Sequence, residues 1–279
     1  MNNPLPAVLA PSPALGAQRT LLERIVAALA ADERCLAAWL GGSLARDEGD
    51  AFSDVDVGVA IDDPCAPDFL ANLDSLVDRM TATVFKRSAR LGDTTVLTAI
   101  TPDWQRFDIS VELSSNIGRP LAYPRVVLFD RGGIQERFGP LTPAPSVPPE
   151  RLRWLVEEFW RVLGLFVVVA GRGEYLVAVD GVMLLRRYLI DLMLLENGAR
   201  RGGALHLNKF LTSDQRRVLE ALPPLSPSRE SVIASNLAYA RAFRPLARRL
   251  AAQHGLSYPE EFEKATIAHV APSFSLPFE

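Results

Sequence analysis

Residues 139–150, GPLTPAPSVPPE, hold five prolines in twelve positions. Proline fixes φ and lacks a backbone N–H, so neither a helix nor a central strand runs through such a stretch. It favours an extended, semi-rigid connector. The chain is thereby cut into two parts that must each bury a core, and its 279 residues are enough for two. The expected division is an arm over 1–16, a mixed domain over 17–138, a linker over 139–150 and a helical domain over 151–279.

Ahead of the prolines, two periodicities alternate. QRTLLERIVAALAADE places Leu21, Ile25, Ala28 and Leu29 on one face, as an amphipathic helix does. CLAAWLGG reads as a short apolar strand ending in a glycine turn, and DVDVGVAI as a second strand. PDFLANLDSLVDRM predicts a helix with Phe69, Leu73, Leu76 and Met80 on one stripe. TTVLTAI and RFDISVE flank a Pro102-Asp103 turn and predict a hairpin, and RVVLF an edge strand. Behind the prolines the pattern is helical. Leu155, Phe159, Val162 and Phe166 recur at helical spacing. EYLVAVDGVMLLRRYLIDLMLLENG is apolar nearly all round and reads as the central helix of a bundle. SPSRESVIASNLAYARAFRPLARRLAAQHG starts at a Ser-Pro cap signal, carries Pro245 as a kink and stops at Gly255. The fold class is α+β: an N-terminal mixed sheet followed by a C-terminal helical bundle.

Several functions are disfavoured. No unbroken apolar run, Leu165 to Ala170 included, is long enough to span a bilayer. The first residues, MNNPLPAVLAPSPALG, lack the basic and apolar regions of a signal peptide. Cys35 and Cys65 stand in no metal spacing, and His206, His254 and His269 are scattered, which argues against zinc and for a reduced, cytoplasmic setting. Residues 1–140 carry 13 Lys/Arg against 19 Asp/Glu, and residues 141–279 carry 17 against 14. Neither half has the clustered basic surface of a nucleic-acid-binding protein.

The acidic half concentrates its chemistry in GGSLARDEGDAFSDVDVGVA, residues 41–60. Asp54 and Asp56, two apart on a strand, point to one face about 7 Å apart, while Val55, Val57 and Val59 fill the other. Their charges repel unless a cation sits between them. Oxygen-rich side chains on a rigid strand suit a hard ion, and Mg²⁺ also accepts phosphate oxygens as ligands. Asp108, on the RFDIS strand, is a third carboxylate, and three can hold two Mg²⁺. Gly42 and Ser43 offer unhindered backbone N–H groups and a hydroxyl to a triphosphate. Glu112, two pleats beyond Asp108, is the alternative third carboxylate. Arg46 either reaches the triphosphate or pairs with Asp47 or Asp50.

The run GGSLARDEGDAFSDVDV, followed by a later strand Asp, resembles the motif of the DNA polymerase β-type nucleotidyltransferase superfamily. Within it, the run is similar to small bacterial lincosamide and aminoglycoside nucleotidyltransferases, and Glu48 to Asp54 are most like the lincosamide branch. The likeness covers residues 35–62 and extends to Glu112. It implies a nucleotidyltransferase domain catalysing Mg²⁺-dependent transfer of a nucleoside monophosphate, usually AMP from ATP, to a hydroxyl of a small molecule such as an antibiotic. It further implies triphosphate binding by Gly42 and Ser43, metal binding by Asp54 and Asp56, and a metal or general-base role for Asp108. One departure is Asp47, where many relatives have Gly.

Outside that run, Asp180, Arg187 and Asp191 share a stripe of an apolar helix, as a structural charge network or a cleft lining. Lys209 is a candidate phosphate ligand, and Glu157 and Glu158 are alternative bases. Arg201 to His206 matches the loose Arg-x4-His pattern of helical ribonuclease toxins. The expected partners are a nucleoside triphosphate and a hydroxylated acceptor, with no nucleic acid or membrane, in a monomer or homodimer. Two other readings stand: an antitoxin-type transferase acting on a partner protein, and a non-catalytic nucleotide-binding module.

Overall fold

The computed structural model describes residues 15–142, 148–198 and 207–274. The chain divides into two units, residues 1–143 and 144–279. The first is built on a six-stranded sheet ordered β3-β4-β5-β2-β1-β6, comprising β1 (Cys35–Leu40), β2 (Val55–Ile61), β3 (Phe85–Leu91), β4 (Thr94–Ile100), β5 (Arg106–Leu113) and β6 (Val126–Asp130). Only β2 and β5 run parallel; the other neighbours are antiparallel. The β4–β5 hairpin and the edge position of β6 follow the expected pattern.

Alternation along the strands decides which face is covered. Val55, Val57, Val59, Leu97, Ala99, Phe107, Ile109 and Val111 form one core with Leu22, Ile25 and Leu29 of α1 (Gly16–Ala31) and with Phe69, Leu76 and Val77. The opposite face carries Asp56 and Asp108. Its lower end is closed by a small second core of Ala37, Trp39, Ala60, Ile117 and Ile134, with Phe138 edge-on to Trp39. A Cβ at Gly58 would lie 2.1 Å from Nε1 of Trp39, so the indole takes the space a side chain would fill. A four-residue helix, α2 (Gly42–Ala45), follows β1.

One local expectation for this unit is corrected, and one strand is added to those expected. The stretch PDFLANLDSLVDRM forms two helices, α3 (Ala66–Ala71) and α4 (Leu73–Met80). They part at Asn72, whose side-chain amide donates to the Asp68 carbonyl 2.8 Å away, competing with the regular helix ladder. β3 was not anticipated: FKRSARL has no apolar alternation, and it is held as an edge strand by β4. The arm expected over 1–16 lies outside the described residues except Leu15 and Gly16, which open α1.

In the second unit, α5 (Pro149–Gly171), α6 (Tyr175–Glu196), α9 (Arg229–Gln253) and α10 (Glu260–Phe274) form the bundle, with α7 (Leu207–Phe210) and α8 (Ser213–Glu220) between α6 and α9 in sequence. Pro149 and Glu150 fall in the first turn of α5, where neither a missing N–H nor a negative charge is unfavourable. The centre of the bundle is α5, which touches α6, α9 and α10, and not α6 as its composition suggested. Phe159 of α5 stacks on Phe243 of α9 with ring centres 3.7 Å apart. Helix α6 leans on α5 and α9 with one side and leaves Leu176, Val177, Met183 and Leu184 exposed. Pro245 lies inside α9 without ending it. No helix among the described residues is long and apolar enough to cross a membrane.

Candidate active site

The parallel register of β2 and β5 sets Asp56 directly beside Asp108. Residues so paired share a face and stand one strand spacing apart, about 4.8 Å. Asp54, two residues before Asp56, precedes β2 on the same side. Burial raises Asp56 from its ordinary 3.8 to about 6, and the negative charges of Asp54 and Asp108 add to the rise against Arg46 and Arg106. Asp108 is also raised, first by burial; a hydrogen bond from the Thr98 hydroxyl opposes it. These carboxylates crowd one another on a partly desolvated surface, the condition in which a cation is most welcome. Among the described residues, however, no group of three His, Cys, Asp or Glu side chains converges as a finished metal cage. The donor chemistry of the three carboxylates is that of a hard-cation site.

The glycine turn stands against this row. The Gly41 N–H donates to the Asp56 carbonyl over 2.8 Å, tying the turn to β2. Gly42 has φ +59°, and a Cβ there would meet Asp56 Oδ2 at 1.7 Å. Only glycine permits both the left-handed conformation and that approach. Ser43 is half-buried in the first turn of α2, whose N-cap is Gly41, so it is not the capping residue. Asp47 has φ +57°, so the turn keeps the left-handed conformation for which glycine is the ordinary choice.

Arg46 pairs with neither Asp47 nor Asp50. Its Nε donates to Glu48 Oε2 over 3.0 Å, and its guanidinium lies 5.0 Å from the ring centre of Tyr123. Glu112 is engaged elsewhere, in an ion pair of 2.7 Å with Arg125, whose guanidinium stacks on Trp39 at 4.2 Å. That leaves Asp108 as the third carboxylate of the row.

Sequence reasoning missed the residues that steady the site. Gln18 on α1, buried, donates to the Ala51 and Ser53 carbonyls at 3.1 and 3.3 Å. Arg106 donates to the Phe52 carbonyl at 2.9 Å. Together they pin the loop that delivers Asp54. Their separations of 33, 35 and 54 residues leave no local signal. Thr98 carries none either, since its role follows from the β4–β5 register.

The remaining candidates belong to the second unit. Lys209 is exposed on α7. Asp191 accepts from Arg151 at 2.7 Å and pairs with Arg187 at 3.0 Å, a structural network that Asp180, exposed, does not join. Glu158 is clamped by Arg161 at 2.7 Å and held below the usual carboxylate range. Glu157 is exposed on α5. The Arg201–His206 pattern lies outside the described residues.

No protein-family model matches the chain. No curated protein matches it in sequence either. Among solved structures, an aminoglycoside 6-adenyltransferase from Bacillus subtilis aligns over 92% of this chain and 97% of its own, with TM-score 0.40 and 13% identity. A likeness that remote carries no weight for the activity of this chain, which is read from the site alone.

Proposed function

We propose that the carboxylate face of the first unit transfers a nucleoside monophosphate, AMP from ATP, to a hydroxyl of a small molecule. The observation that carries this reading is Gly42 set against the carboxylate of Asp56, in one row with Asp108. A backbone that close to a cation-binding carboxylate can present N–H groups to phosphate oxygens that share the cation. Ser43 adds a hydroxyl donor on the same turn. Asp54, Asp56 and Asp108 would hold the Mg²⁺, which when bound supplies Lewis-acid stabilisation of charge on the triphosphate.

The chain's own residues do the rest. Asp108, lifted toward neutrality by burial and steadied by Thr98, takes the proton of the acceptor hydroxyl. The acceptor oxygen then forms its bond to the α-phosphorus as the bond to the bridging oxygen breaks and pyrophosphate leaves in line. Glu158 is the weaker base, because Arg161 holds it ionised.

The test is incubation of the purified chain with MgATP and a panel of hydroxylated compounds, scored for a mass gain of one AMP. Asp54→Asn, Asp56→Asn and Asp108→Asn are each expected to reduce transfer below a tenth of wild type. Retention of more than that by Asp56→Asn contradicts the proposal.

A further inference from the structure

Arg87 belongs to the same row as the carboxylates. Asp56 pairs with Asp108, Asp108 with Thr98, and Thr98 with Arg87. Opposed residues on neighbouring strands share a face, so the four cross the sheet in line. Arg87 therefore stands two strand spacings from Asp108, about 10 Å. It lies on the side away from β1 and the Gly42–Ser43 turn. Its two basic neighbours on β3 face the helix-covered side: Lys86 pairs with Asp78 of α4, and Arg90 bonds back to the Gly92 carbonyl. The Arg87 side chain is exposed and, among the described residues, has no hydrogen-bond or ion-pair partner.

Phe85, Ala89, Val96, Ile100 and Ser110 share this face by the same register, as do Arg106, which bonds the Phe52 carbonyl, and Glu112, which is paired with Arg125. Neither β3 nor β4 contains an acidic residue. A cationic group placed over β3 and β4 would meet Arg87 and no carboxylate from those two strands.

Resting on the function proposed above, we infer that Arg87 is the acceptor's anchor and that the acceptor carries an anionic group, a carboxylate or phosphate, on the β3 side of the hydroxyl that Asp108 deprotonates. With the triphosphate cradle on one side of the row, the acceptor lies across Thr98 and Val96 on the other. A planar guanidinium with five donors suits either anion in bidentate fashion.

The test uses the full chain saturated with Mg²⁺ and a non-hydrolysable ATP analogue, titrated calorimetrically with a sugar phosphate, the neutral sugar and the amino sugar. Transfer from MgATP is measured in parallel. The sugar phosphate is expected to bind at least tenfold more tightly than the other two. Arg87→Ala should remove that preference, Arg87→Lys restore part of it, and KM for ATP stay within twofold throughout. Tighter binding of the amino sugar, equal binding of all three, or an Arg87→Ala effect on ATP alone overturns the assignment while leaving nucleotidyl transfer standing. Failure of the wild type to bind the nucleotide overturns both.

Discussion

A methyl group at position 42 would lie 1.7 Å from Oδ2 of Asp56, on a backbone whose φ is +59°. Gly42→Ala therefore meets both a left-handed strain of about 1–2 kcal/mol and an overlap that only displacement of Asp56 relieves. Loss of transfer by at least a hundredfold is expected. Gly133, with φ +62° and open space around it, isolates the strain alone; Gly133→Ala should lower stability similarly yet leave transfer intact. Equal activities in the two variants would remove Gly42 from the site. Asp56 itself makes a pH prediction for metal-free protein. Its carboxyl is raised from 3.8 to about 6, so between those values the folded chain binds more protons than the unfolded one, and stability falls as pH rises. The penalty is absent below about pH 4 and complete above about pH 6, worth up to about 3 kcal/mol. In urea unfolding with chelator present, Asp56→Asn should gain on wild type across that window. A flat difference contradicts the crowding described for this row. Asp54, Asp56, Gly42 and Ser43 were legible in the sequence because their geometry is local, set by a strand's two-residue period and one turn. Thr98, Gln18, Arg106 and Arg87 were not, because pairing between distant segments places them.

At the scale of elements, long segments with clean periodicity declared themselves: α1, α5, α6, α9 and the apolar strands. Those that neighbours hold in place did not. FKRSARL becomes β3 because β4 pairs with it throughout, and its Lys and Arg residues guard an exposed edge. Helix α10 lacks a strong apolar stripe; Glu263 fixes it, with a nearly fully buried carboxylate that accepts from Arg248 at 3.1 Å and pairs with Arg244 at 2.6 Å. Tyr258 also bonds Glu263, and burial with that bond pushes the phenol up. Arg244 and Arg248 remain 45% and 38% exposed, so they recover water when the carboxylate is removed. The cost of Glu263→Ala should then fall below the 3–5 kcal/mol of a fully buried pair, to about 2–3 kcal/mol. Glu263→Gln, which keeps volume and an acceptor, should cost less. Urea denaturation decides it, and no loss in Glu263→Ala would mean that α10 is held by Val270 and Phe274 alone.

At the scale of the whole molecule, the proline stretch, the charge asymmetry and the two cores point to one unit carrying the chemistry and another of different build beside it in the chain. The central claim concerns the first: its carboxylate row and glycine turn bind a metal and a nucleoside triphosphate together. The acceptor need not be known to test this. Bound Mg²⁺ would lower the repulsion among Asp54, Asp56 and Asp108, and a triphosphate would supply it with further oxygen ligands, so each should strengthen the binding of the other. Stabilisation by bound ligand amounts to about 2.7 kcal/mol at one hundred times Kd, a few degrees of melting temperature in a chain this size. The measurement is the melting temperature of the purified full chain with Mg²⁺ alone, ATP alone and both, for wild type and Asp56→Asn. A shift with both ligands that exceeds the sum of the separate shifts in wild type, and vanishes in Asp56→Asn, is the predicted result; an unmoved wild type, or an equal shift in the variant, would contradict the account.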